Sequence, residues 1–67
     1  MSMYAIHWEV NEITGRWNHQ HDFWAENDYE AVKYAMEWLQ GEQVFKLTRN
    51  GYRGAIRTVV DCTSKVA

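Results

Sequence analysis

A chain of 67 residues suffices for one domain. Its net charge of −2 lacks the basic excess of a general nucleic-acid binder and falls far short of a polyanionic mimic of DNA. No apolar run approaches the length of a membrane span, and the single cysteine, Cys62, rules out an intrachain disulfide. One lone thiol fits a reducing, cytoplasmic setting. Stability must then come from aromatic packing or from a partner, and four Trp, four Tyr and two Phe supply the rings. Each buried ring removes roughly 150–250 Å² from water.

Met1-Ser2-Met3 leads straight into a strand pattern, so no signal peptide is expected. The expected organisation is one domain over 1–67, with an ordered core over 3–62 and a frayed tail over 63–67. Tyr4 to Val10 alternates strictly: Tyr4, Ile6, Trp8 and Val10 share one side, and Ala5, His7 and Glu9 the other. That is the period of a half-buried strand. Asn11 to Gly15 carries turn chemistry. A second strand, less regular, is predicted from Arg16 to Ala25, with room for a bulge near His21.

Asn27 and Glu30 stand as N-cap and N3 of a helix, and Gly41 fits the position that ends it. On a helical wheel Glu30, Lys33, Glu37 and Gln40 form one polar arc. The rest is apolar, with Ala31, Val32, Ala35 and Leu39 central, Tyr34 and Trp38 on one flank, and Tyr29 and Met36 on the other. The arc is about twice the width that a helix on one sheet needs. Gln43 to Arg49 and Tyr52 to Cys62 read as a hairpin closed by a two-residue turn at Asn50-Gly51. That turn would pair Arg49 with Tyr52, Phe45 with Ile56 and Val44 with Arg57. Phe45, Leu47, Ile56, Val60 and Cys62 would share one face, and Lys46, Thr48, Arg53, Ala55 and Arg57 the other. The order β-β-α-β-β predicts an α+β fold: a four-stranded, mostly antiparallel sheet with the helix on one face and the second face open. Strand order is not readable.

Chemistry-bearing patterns are few. His19 and His21 are two apart on a strand and project to one side, the spacing of a metal-ligating pair; His7 could join them in one register of the first hairpin. The plainer account is three polar residues on an edge strand, with no metal and no cofactor. Cys62 is best explained as a small hydrophobe, and neither a phosphate loop nor an acid–base pair of carboxylates is evident, so no enzyme is expected. Lys46, Arg53 and Arg57 form a basic patch on the expected outer face, with Arg49 at its tip. They would meet phosphates, or simply solvate a sheet face. Tyr34 and Trp38 are i, i+4 neighbours and, with Trp24, exceed what a small core requires. Aromatics at helical spacing are usually core, yet surplus Trp and Tyr are also what anchors partners.

The run Phe23-Trp24-Ala25-Glu26-Asn27 into Glu30-Ala31, and the ending Val59-Val60-Asp61-Cys62, resemble the small accessory and inhibitor proteins of phages and mobile elements, anti-CRISPR proteins among them. The resemblance is one of size and layout, with no specific motif. It implies a non-enzymatic protein that blocks a larger complex by contact. The expectation is therefore a protein-binding domain using Tyr34, Trp38 and Trp24 with Lys46, Arg53 and Arg57, and a homodimer covering the spare apolar helix surface. A nucleic-acid module using the basic face is the alternative, and a metal or thiol enzyme the third.

Overall fold

A computed structural model describes residues 1–41 and 44–62 of the chain. The order is β1 (Ser2–Val10), β2 (Trp17–Ala25), α1 (Asp28–Leu39), β3 (Phe45–Asn50), a 3-10 turn (Tyr52–Gly54) and β4 (Ile56–Cys62). The four strands form one antiparallel sheet in the order β2-β1-β3-β4, so the first hairpin's second strand and the last strand are its edges. The predicted α+β architecture is the one observed. Residue 43, expected to begin the third strand, and the expected tail at 63–67 lie outside the described residues.

The β1–β2 connection follows from Asn11. Its carboxamide oxygen accepts from the amides of Ile13 and Thr14, and its carbonyl from Gly15, whose positive φ of 73° closes the turn. The pairing then runs through Ile6 and His21 without a register shift, so no bulge forms at His21. The irregularity lies further along β1, at Glu9, which has a φ of 59°.

The helix begins as predicted. The Asn27 side chain accepts from the Glu30 amide at 2.9 Å, with Asp28 and Glu30 in the first turn. It ends as Gly41 implied: Gln40 is the C-cap, itself left-handed, and Gly41 follows it with a φ of 93°. Ala31 and Ala35 are fully buried. Their small side chains let α1 approach the sheet closely, above Tyr4, Ile6, Phe23, Ala25 and Leu47. The other face of the sheet carries no layer among the described residues.

The last hairpin departs from expectation. Asn50-Gly51 is not a two-residue turn. A longer loop is closed by the Gly51 amide donating to the Ala55 carbonyl at 2.6 Å, and Arg53 takes the left-handed conformation inside it. Arg49 therefore pairs with Arg57 and Phe45 with Cys62, not with Tyr52 and Ile56. A shift between Leu47 and Thr48, which pair with Val60 and Thr58, leaves Val59 as an extra residue. Val59 and Val60 both pack against the core. Beyond the bulge the alternation inverts: Ile56 leaves the core side and is 70% exposed, while Arg57 comes round to the helix side and reaches Asp28.

Candidate functional site

On the helix side of β2 the aromatic surplus becomes a stacked tier. Tyr34 lies over Phe23 with ring centroids 4.2 Å apart, and Phe23 stacks on Tyr4 at 5.8 Å. Trp38 lies on His21 at 3.9 Å, nearly parallel. His21 Nε2 is also 2.9 Å from the Tyr34 hydroxyl. Further along, His19 stacks on Trp8 and pairs with Glu9. The flanking rings of α1 thus hold the helix down on an edge strand, with their outer faces in solvent.

His19 and His21 are spoken for by this tier. His7 is on the opposite sheet face, with Nε2 3.1 Å from the buried Thr48 hydroxyl. The register that would have gathered three imidazoles is not the one formed, and no group of three metal-ligating side chains exists among the described residues. Burial holds the His7 imidazole below its ordinary pKa, the nearby Lys46 ammonium adding to this and Asp22 opposing it. Trp17 lies against His7, on the open face, although its parity in β2 is that of His19. Cys62 is half-buried at the end of β4.

The basic patch is not assembled. Lys46 is on the open face beside Thr48 and Asn50. Arg53 lies over the exposed Tyr52 ring at the hairpin tip. Arg57 and Arg49 converge on Asp28, at 2.7 and 3.5 Å, and the Tyr4 hydroxyl donates to the same carboxylate at 2.7 Å. Arg49 also donates to Ser2 Oγ. The Tyr4 bond, then Arg57, hold the Asp28 carboxyl below its ordinary pKa. Burial, with the Asp28 bond and charge, pushes the Tyr4 phenol up. Two of the four cations are therefore committed to a carboxylate, because the Val59 bulge turned Arg57 inward.

A groove of about 570 Å³ opens where the end of β2 meets the outer flank of α1. Trp24, 61% exposed, and Tyr34, 39% exposed, line it with Met1; Glu26, Glu30, Lys33 and Glu37 form its polar rim. Of the six residues the sequence suggested as contacts, Trp24 and Tyr34 meet here. Trp38 sits next along the same helix flank, while Lys46, Arg53 and Arg57 lie elsewhere. The sequence showed the carboxylates only as a polar arc. It gave no sign of the groove, because strand order decides which strand is an edge. No protein-family model, curated protein or solved structure matches the chain.

Proposed function

We propose that this chain is a non-enzymatic protein-binding domain that acts by surface contact through the groove beside β2. The observation that carries the reading is the placement of Trp24 and Tyr34. Both stay substantially exposed, and they flank a concave surface bordered by a strand edge with no neighbour among the described residues. Exposed contiguous aromatic surface marks interfaces, and Trp and Tyr supply most of their binding energy. The dispersal of Lys46, Arg53 and Arg57 removes support from the nucleic-acid alternative, which needs a continuous basic track. A domain of this kind would act as a small accessory or blocker of a larger assembly, in keeping with the phage-protein resemblance.

The test is capture of partners on tagged protein from source-cell lysate, with and without nuclease, beside a Trp24→Ala variant. A defined protein partner that survives nuclease and is lost with Trp24→Ala supports the reading. Recovery abolished by nuclease would shift the assignment to nucleic acid. Capture of nothing, or capture indifferent to Trp24→Ala, overturns the groove as the contact surface.

A further inference from the structure

We propose that the occupant of the groove is an extended, basic segment of a partner protein that adds to the sheet as a fifth strand along β2. This rests on the reading of the chain as a protein-binding domain and names the partner's chemistry.

Three observations converge. The first is the edge itself. β2 is outermost, nine residues long and free of register shifts. Trp17–Ala25 contains no proline, lysine or arginine, and Asp22 is its one carboxylate. Edge strands normally carry such residues, or a bulge, to stop another strand from pairing. β2 has no bulge, proline, lysine or arginine, and its one charge of this kind is Asp22. Its outer row of amides and carbonyls is a template for strand addition, which draws affinity from main-chain bonds and specificity from side-chain pockets.

The second is the wall. The Tyr34 flank of α1 stands along the groove and Trp24 borders it, so alternate side chains of an added strand would meet aromatic surface. The volume, about 570 Å³, is in the range of whole-ligand clefts and leaves room for more than one side chain of an added strand.

The third is charge. Glu26, Glu30 and Glu37 line the groove, and none makes an ion pair among the described residues. Lys33, the one basic side chain lining the groove, is directed to the Tyr29 ring, 6.0 Å from its centroid. Uncompensated carboxylates select a positively charged strand and repel an acidic one. A second copy of this chain fits less well. Its β2 brings Asp22 and no lysine or arginine, and its helix would set the same carboxylates against the first set.

The test uses end-blocked peptides of alternating lysine and valine, with glutamate–valine counterparts. Affinity is read by calorimetry and the site by amide chemical shifts. The lysine peptide should bind at least about tenfold more tightly than the glutamate one. Glu26→Lys with Glu37→Lys should reverse the preference. That pair leaves the Asn27–Glu30 cap intact, and a thermal melt confirms the fold. N-methylation of alternate peptide amides should abolish binding in one of the two parities, which a purely electrostatic contact would not do. Shifts should map to β2 and the Tyr34 flank.

Equal affinity for both peptides, indifference to N-methylation, shifts on the Lys46 face, or a dimer that occupies the edge and excludes the peptides would each overturn the proposal. If lysate capture depends on Trp24 while no peptide binds, the protein-binding reading stands and strand addition falls. If capture itself fails, the parent reading falls.

Discussion

The two edges of this sheet are built differently. β4 is seven residues long, interrupted by the extra residue Val59, and sends Arg57 back across the helix side to Asp28. β2 is nine residues long, regular, and without lysine, arginine or proline. Its helix-side residues are fastened by rings, Phe23 under Tyr34 and His21 under Trp38. β4 is held by charge at one point and by two valines at the bulge; β2 is held by aromatic stacking along its length. Irregular, basic edges resist further pairing, and regular edges with little charge invite it. The difference puts interaction surface and aromatic packing at the same edge of the sheet. A substitution on β2 therefore tests stability and binding together, and only exposure separates them.

The largest effect should come from Phe23→Ala. Phe23 is 7% exposed and packed between Tyr4 and Tyr34. Truncating a buried ring costs about 3–5 kcal/mol, much of the total stability of a small domain. The half-buried Val60→Ala on β4 should cost about 1 kcal/mol. Urea titration of both variants checks the ranking, and equal losses would break the asymmetry between the edges. Trp38→Ala comes next, at about 1–2 kcal/mol, because it unstacks His21 but was already 45% exposed.

The same asymmetry explains what could be read in advance. β1 was legible because Tyr4, Ile6 and Trp8 alternate with Ala5 and His7, and the helix because Asn27 and Glu30 stand in capping positions. The β3–β4 register was not. Asn50-Gly51 is a strong local turn signal, but Gly51 instead closes a wider loop on Ala55, and Val59 then shifts the ladder by one residue. Val59-Val60 reads as ordinary strand whether or not one residue is extra, so the pattern cannot reveal the bulge. That single residue moved Ile56 out and Arg57 in, and dissolved the basic face. The groove was hidden for a different reason. Tyr34 and Trp24 were visible as surplus aromatics, but they meet only because β2 is an edge, which is set by how β1 pairs with both β2 and β3.

The charge anchor of the β4 side should show in the pH dependence. A carboxyl whose folded pKa is depressed contributes stability that is fully present above its unfolded pKa and is lost as pH falls through the folded value. Asp28 is such a group, so stability should decline below about pH 4. Tyr4 has a raised pKa, and its contribution is present below the unfolded value and lost as pH rises through the folded one, above about pH 10. Asp28→Asn should remove the acid-side loss of this group. It should lower stability at neutral pH by on the order of 1 kcal/mol, no more, because the carboxylate is 39% exposed and solvent screens it. Tyr4→Phe should remove the alkaline loss. Thermal melts from acid to alkaline pH check both, and an unchanged acid limb in Asp28→Asn would mean that other carboxylates control it.

The smallest effect on stability should be the most informative about function. Trp24 and Ile56 are matched: each is a large apolar residue on an edge strand, 61% and 70% exposed, one on β2 and one on β4. Both residues sit outside the core, so Trp24→Ala and Ile56→Ala should each change stability by within about 0.5 kcal/mol. Their effects on partner binding should diverge. Trp24 borders the groove, and its loss removes an exposed aromatic anchor where a strand would dock. Ile56 lies across the sheet, beside Lys46 and Thr48 on the open face, and its loss should leave capture unchanged. Measuring both variants in one capture experiment removes stability as a confounder. Loss with Trp24→Ala alone assigns recognition to the β2 edge. Loss with Ile56→Ala alone moves it to the open sheet face, and with it the meaning of the Trp17–His7 contact there.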